Sequence, residues 1–411
     1  MARAPHFRPY RSAASPSSEP PFLSAQILDY EHRSKRFGRH ILQGRSPGPG
    51  SVDLTSNDYL ALSGDPWIIR GQREHLAARG RGQMRSDVFR HGGGILRRFE
   101  QDMAHWMGMP DAVLAQSGWK ANVGLIQALG GPEVTVYLDM QAHMSLWEGA
   151  RSGGSRVRPF KHNDPASLEK MLKRHGPGIV AVDSLYSTNG NLCPLADMAD
   201  LADQFGALLV VDESHSLGLF GPAGAGLVAE FGLTAQVPFI TASLSKAFAG
   251  RGGIVLGSPR HLEYFRYTSL PAIFSSALLD SEAAAFAATL EVIRQADGKR
   301  SALEDKAAYL RAELLDLGFD LAGSETHIMA LQPGDEELTL EVREALEERD
   351  VFGSIFCWPA AGRGRALVRF SLHSDLPLSD LDRVVDACDG LRRQFRLSRW
   401  RGQGIRSRSA A

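Results

Sequence analysis

At 411 residues and 44.7 kDa the chain is too long for one average domain of about 150 residues and short for three. Lys plus Arg total 46 against 47 for Asp plus Glu, and the resulting net charge of -1 argues against a dedicated nucleic-acid binder. Apolar residues at 43% and charged residues at 23%, mixed in sign, argue against wholesale disorder. Lysine is scarce, so a reaction that needs an amine nucleophile has few candidates.

Cys193, Cys357 and Cys388 form no CxxC and no metal-ligand spacing with histidine. Neither a metal site nor a disulfide framework is expected, and the sparse, odd set points to a reducing, cytoplasmic setting. No run of about 18 apolar residues predicts a membrane span. The stretch from Met1 to about Pro21 is rich in Arg and Ser and has no acidic residue before Glu19. It lacks an apolar h-region and reads as a disordered leader.

Residues 1–52 read as an N-terminal arm, partly disordered, ending in the loop Ser46–Gly50. A large domain is expected over 53–289. Its apolar runs Ala112–Ala115, Thr135–Leu138, Arg156–Phe160, Gly178–Val182, Ala207–Val211, Pro238–Thr241 and Gly253–Leu256 predict strands. Between them Asn122–Leu129, Ser145–Ser152, Pro165–His175 and Leu195–Phe205 predict helices, most of them bounded by Gly or Pro. This alternation implies an α/β fold with a mostly parallel sheet, whose ligand lies beyond the carboxyl ends of the strands. A smaller α+β C-terminal domain is expected over 290–395, after the long helical pattern Asp280–Ala296. It holds helix Arg300–Leu317, strand His327–Gln332, helix Leu338–Arg349, strands Gly353–Trp358 and Ala366–Leu372, and helix Ser379–Phe395. Residues 396–411 read as a basic disordered tail.

Four strand-end signals carry chemistry. The run Leu208–Val211 leads into Asp212, with His215 three residues on; a carboxylate at a buried strand end calls for a cation, such as a protonated cofactor ring nitrogen. The run Phe239–Ser245 ends in hydroxyl residues and then Lys246, and a desolvated lysine suits Schiff-base chemistry. In Gln116-Ser117-Gly118-Trp119 a strand turns at glycine into a helix, whose first N–H groups suit a phosphate; Ser243 adds a hydroxyl. His143, beyond strand Thr135–Leu138, offers a flat ring for stacking on a planar cofactor. Singly, each has a plainer explanation: a helix cap, a solvated lysine, a turn, a loop histidine. Together they supply an aldehyde-capturing amine, a partner for a pyridinium, a phosphate cradle and a stacking ring, which describes a pyridoxal-phosphate site. The glycine runs Gly92–Gly94 and Gly221–Gly226 do not form a GxGxxG between strand and helix, so a dinucleotide enzyme is the weaker alternative. A non-catalytic dimeric regulator on the same fold is another.

In this order the motifs resemble the α-oxoamine synthase family of fold-type I pyridoxal-phosphate enzymes, acyltransferases that condense an amino acid with an acyl-CoA and usually lose carbon dioxide. Ser56–Leu60 matches the family's entry motif, and the likeness runs to about Ser371. Gln116–Leu125, His143–Arg151, Val211–Leu217 and Pro271–Leu279 resemble most closely the branch that makes long-chain α-amino ketones, precursors of α-hydroxyketone quorum-sensing autoinducers. Other oxoamine synthases, such as the biotin-pathway type (8-amino-7-oxononanoate synthase), are the alternative. The resemblance implies that Lys246 holds the cofactor as a Schiff base and removes the substrate α-proton. Asp212 would pair with the pyridine nitrogen, His215 and Ser187 with the phenolic oxygen, and His143 would stack on the ring. His143 and His215 would also polarise the thioester. Ser117, Gly118, Trp119 and Ser243 would hold the phosphate, with Ser276 reaching in from the other subunit of a homodimer. Asn57 and Arg369 would bind substrate. The donor is expected to be an amino acid or a S-adenosylmethionine type, with a medium- or long-chain acyl-CoA. The stretch Arg85–Gly94 departs from the family's usual Gly-Ser-Gly-type run, and Asp183 stands where many relatives have Glu.

Overall fold

The computed structural model describes residues 20–36, 44–90 and 92–395. The expected leader and basic tail lie outside them. The chain divides into two units, 1–46 and 47–411; helix α1 (Pro21–Arg36) is the described element of the first.

The second unit holds two sheets. The larger has seven strands in the order β2-β8-β7-β6-β5-β3-β4. These are β2 (Asp111–Ala115), β3 (Thr135–Asp139), β4 (Arg156–Phe160), β5 (Ile179–Asp183), β6 (Leu208–Asp212), β7 (Phe239–Ser243) and β8 (Gly253–Gly257). All seven coincide with predicted strands. Strands β4, β3, β5, β6 and β7 run parallel, and β8 runs antiparallel to both neighbours. Strands β3 and β5 are buried at every residue, as expected for a sheet covered on both faces. At the edge, β4 exposes Arg156, Arg158 and Pro159, which discourages pairing with another chain.

The covering helices follow local rules. Helix α4 (Gly118–Leu129) starts where the Ser117 side chain accepts from Lys120 N. Helix α5 (Met144–Ser152) is capped by His143, and α6 (Pro165–His175) by Asp164 with proline at its first position. Helix α7 (Leu195–Gln204) completes the predicted set. Helices α2 (Pro66–Arg79), α3 (Gly94–Trp106), α8 (Leu227–Glu230), α9 (Pro259–Thr268) and α10 (Leu270–Ile273) were not anticipated by the sequence pattern. Helix α2 buries no residue, so its apolar positions trace no inward stripe.

Helices α11 (Asp280–Arg294) and α12 (Asp297–Asp316) lead to the second sheet, of order β1-β10-β11-β9. Its strands are β1 (Val52–Leu54), β9 (Ile328–Gly334), β10 (Val351–Phe356) and β11 (Ala366–Ser371), covered by α13 (Glu336–Glu347) and α14 (Leu378–Gln394). Strand β1 comes from far upstream and pairs parallel with β10. That pairing sets Asn57 and Tyr59, just after β1, beside the end of β11; Ser374 N donates to Tyr59 O at 2.8 Å. Among the described residues no helix is long and apolar enough to cross a membrane, and no His/Cys/Asp/Glu group could hold a metal.

Candidate active site

Parallel strands bring their carboxyl ends to one rim. Asp183 and Asp212 stand side by side in register on β5 and β6, and Asp212 pairs with Thr241 on β7. Two glycines close the junction of β7, β8 and α4. A Cβ at Gly118 would lie 2.5 Å from Ser243 Cβ, and one at Gly253 would lie 2.3 Å from the Ser117 carbonyl carbon. The first intrahelical bond of α4 runs from Ala121 N to Ser117 O. The N–H groups of Gly118 and Trp119 therefore precede the helical ladder, beside the Ser243 and Ser245 hydroxyls, which lie 2.7 Å apart. Free N–H groups and hydroxyls at a helix N-terminus suit an anion such as phosphate.

Asp212 is buried and accepts from Asn122 Nδ2 at 2.6 Å and Ser214 N at 2.8 Å. Asn122 is itself 2% exposed; its second amide N–H reaches Ser145 Oγ at 2.9 Å, and its oxygen accepts from Thr241 Oγ1 at 2.6 Å. One amide thus braces β6, β7 and α5. It also fixes a tautomer. The Ser145 N–H donates to His143 Nδ1 at 3.3 Å, and Ser145 Oγ, already accepting from Asn122, lies 2.6 Å from the same nitrogen. A backbone N–H can only donate, so Nδ1 accepts and the neutral ring carries its proton on Nε2. His143 meets Trp119 edge-on, with ring centroids 6.0 Å apart.

Asn122→Ala strips Asp212, Ser145 and Thr241 of one partner each. It is expected to cost about 3 kcal/mol of stability in denaturant unfolding, with activity falling together with the loss of Asp212's brace. Unchanged stability would show that these groups find other partners.

His215 reaches Tyr59 with Nδ1 at 2.6 Å from the phenolic oxygen. Tyr59 OH also lies 3.1 Å from Asn57 Oδ1, which accepts from Arg369 Nη2 at 3.0 Å. Arg369 Nη1 donates to Ser187 O at 2.8 Å, and the guanidinium lies over Phe356, 4.9 Å from its ring centroid. Glu213, fully buried, holds the loop that presents His215, accepting from Leu227 N at 3.0 Å and Val228 N at 2.6 Å.

The electrostatics follow burial. Desolvation lowers the pKa of Lys246, Arg369 lowers it further, and Asp212 opposes both. Burial lowers His143, with Asp212 opposing and Lys246 assisting. Burial also holds His215 well below the usual histidine range, assisted by Lys246 and Arg369. Asp183 is pushed well above the usual carboxylate range by burial and then by Asp212. These groups thus feel one another in a shared, water-poor space.

His327, against the Tyr59 ring with centroids 4.1 Å apart, is brought down to about 3 by burial and then by Arg369 and Arg311. The unfolded chain takes up this proton near pH 6.5, whereas the folded chain refuses it until about pH 3. Its stability contribution is full above the unfolded value and is lost as pH falls, and His215 acts with the same sign. At pH 5, His327 alone is expected to cost about 2 kcal/mol relative to pH 7. Thermal unfolding at the two pH values should therefore show a smaller drop in His327→Gln than in the unsubstituted protein; an equal drop refutes the assignment.

The structure gathers Lys246, Asp212, His143 and His215 with the cradle of Ser117, Gly118, Trp119 and Ser243, and Asn57 and Arg369 adjoin them. Ser187 contributes its carbonyl to Arg369. Within one chain, Ser276 lies at the β2–α4 corner, bridged to Ser86 and accepting from Gln116 Nε2. Lys120 turns to Gln116 Oε1 at 2.6 Å. Sequence reasoning assigned no role to Asn122, Ser145, Ser214, Thr241, Tyr59 or His327. Asn122, a polar residue on an otherwise apolar helix face beside Ala121, Leu125 and Ile126, was a usable signal.

The donor set fits pyridoxal phosphate: a desolvated amine, a carboxyl at the rim, an N–H cradle and a ring at its side. Comparison with known proteins agrees. The family "Aminotransferase class I and II" matches residues 49–387. The chain is 44% identical over 350 residues to CAI-1 autoinducer synthase of Vibrio campbellii, covering 85% of this chain and 89% of that one. It is 30% identical over 343 residues to 8-amino-7-oxononanoate synthase of Coprothermobacter proteolyticus, covering 82% and 87%. Serine palmitoyltransferase from S. paucimobilis, solved with a bound PLP–myriocin aldimine, superposes with a TM-score of 0.84 at 26% identity, covering 91% and 99%. The chain belongs to the class I and II aminotransferase family and, within it, to the α-oxoamine synthases, fold-type I acyltransferases that use pyridoxal phosphate.

Proposed function

We propose that the protein condenses a medium- or long-chain acyl-CoA with an amino acid or a S-adenosylmethionine-type donor, releasing an α-amino ketone that is the precursor of a quorum-sensing autoinducer. The carrying observation is Arg369: a guanidinium 5% exposed, hydrogen-bonded to two neutral carbonyl oxygens, with Nε unpartnered. A buried cation so placed calls for an anion, and the donor's carboxylate supplies it. The likeness to CAI-1 autoinducer synthase supports the product class.

In this reading Arg369 grips the donor carboxylate with N–H groups that Ser187 and Asn57 leave over. Lys246 Nζ, its proton affinity lowered by burial and by Arg369, removes the donor's α-proton. When bound, pyridoxal phosphate supplies the electron sink for the pair left on the α-carbon. Asp212 pairs with the cofactor's ring nitrogen and favours its charged form. His143 presents Nε2–H, which with His215 polarises the thioester carbonyl as charge develops on its oxygen. A carbon–carbon bond forms and the carbon–sulfur bond breaks, releasing CoA. Carbon dioxide then leaves, and Lys246 returns a proton to the α-carbon. Gly118, Trp119 and Ser243 hold the phosphate, with Ser117 capping the helix that carries the first two.

A homodimer with Ser276 reaching the partner's site belongs to the same reading. The exposed Phe274 and Leu270, close in sequence to Ser276, support a covered surface there. Mass spectrometry after offering purified protein a panel of acyl-CoAs and donors tests the proposal. A decarboxylated amino ketone from a medium or long acyl chain is expected. Turnover confined to alanine with a different acyl-CoA would favour the 8-amino-7-oxononanoate synthase reading instead.

A further inference from the structure

Tyr59 is completely buried and joins two groups far apart in the chain. Its hydroxyl lies 2.6 Å from His215 Nδ1 and 3.1 Å from Asn57 Oδ1, and the same Asn57 oxygen accepts from Arg369 Nη2 at 3.0 Å. Its position is over-determined. The backbone carbonyl accepts from Ser374 N at 2.8 Å, and the ring packs edge-on against His327. Burial raises the phenol's pKa, so the hydroxyl keeps its proton.

That single proton has two destinations. A contact of 2.6 Å between the phenol and His215 requires one hydrogen between them. If the phenol donates to His215, the imidazole carries its proton on Nε2. If the phenol donates to Asn57, His215 must donate from Nδ1, and Nε2 becomes an acceptor. Asn57 Oδ1 is already fed by the Arg369 guanidinium, so how well it accepts the phenol's proton depends on the charge around Arg369.

We propose that Tyr59 is a positioning residue that links the donor-carboxylate site to His215: occupancy of Arg369 is passed through Asn57 and Tyr59 to the hydrogen-bonding direction of the imidazole. The inference rests on the reading of Arg369 as the carboxylate receiver. It gives the site a means of matching His215 to the presence of a donor before the acyl thioester reacts. Groups that act on His215 are Tyr59 by direct contact and Lys246, Arg369, His327 and His143 through their charge.

The test uses the cofactor-loaded, full-length enzyme and its best donor. Tyr59→Phe is expected to lower kcat about tenfold while leaving the donor KM within about threefold, the size of effect that fits one lost orienting hydrogen bond. In a double-mutant cycle, Tyr59→Phe should add little to the loss caused by His215→Gln, because the tyrosine acts through that ring. A fully additive cycle, or an unchanged kcat, overturns the proposal. Should Tyr59→Phe fold poorly, 3-fluorotyrosine at position 59 keeps the packing. Its phenol is a stronger donor and a weaker acceptor, so either hydrogen-bond direction favours neutral imidazole, and the acid limb of kcat should move to lower pH. An acid limb that stays in place also overturns the proposal. Arg369→Lys tests the underlying reading separately through the donor KM, so the two can fail independently.

Discussion

Lys246→Ala is expected to abolish turnover, by at least about 10³-fold, and to remove the visible absorbance of Schiff-base-linked pyridoxal phosphate. The lysine lies just after β7, on the loop to β8, where Ala249 N donates to its carbonyl at 2.8 Å. Burial and Arg369 both lower its proton affinity, with Asp212 opposing, which favours the neutral form that an aldehyde-capturing amine needs. Alanine removes a desolvated amine rather than a structural anchor, so the melting temperature should stay level or rise. Loss of activity with an intact fold therefore separates chemistry from stability. Borohydride treatment adds a direct readout: the unsubstituted protein should be fixed to the cofactor at this residue, and the variant should not. Residual turnover at a tenth of the normal rate would move the proton-transfer role to another group.

Asp212→Asn is expected to retain the cofactor but to lose roughly 10²- to 10³-fold in kcat. A carboxylate beside the ring nitrogen shifts that nitrogen's pKa by about 1–3 units, and the amide supplies no such charge. The substitution also reverses a hydrogen bond. Asp212 offers two acceptor oxygens, to Asn122 Nδ2 and Ser214 N, whereas asparagine can satisfy one and turns an N–H toward the other donor. Cofactor retention is expected because the cradle at Gly118, Trp119 and Ser243 and the amine of Lys246 are untouched. Absorbance titration with pyridoxal phosphate and steady-state kinetics measure the two effects separately. An unaffected kcat would reduce Asp212 to a brace for Asn122 and the Ser214 turn.

Six of the seven strands of the large sheet were legible because covered strands read as apolar runs between Gly and Pro, whereas β4 (RVRPF) lies at the edge and exposes Arg156, Arg158 and Pro159. Asp212 and Lys246 stood out for the same reason: each terminates such a run with a group that burial disfavours unless it is used. Helices α2 and α9 were less legible. Helix α2 buries nothing and its apolar positions trace no inward stripe, and α9 buries only Leu262 and Phe265 of its ten residues. Strand β1 is three residues long, and its partner β10 lies some 300 positions downstream, beyond any local pattern.

The sequence by itself determined the α/β alternation, the rim at the strands' carboxyl ends and the presence there of Asp212 and Lys246, because these depend on local hydrophobic runs and on what ends them. Only the tertiary structure decided how the groups are tuned. Asn122 meets Asp212 across 90 residues, and Tyr59 meets His215 across 156. Such contacts follow from strand order and from β1 joining the distant sheet, and no spacing in the chain encodes them. The tautomer of His143, the lowered proton affinity of Lys246 and the uncompensated charge of Arg369 arise from burial and from partners brought together by that topology.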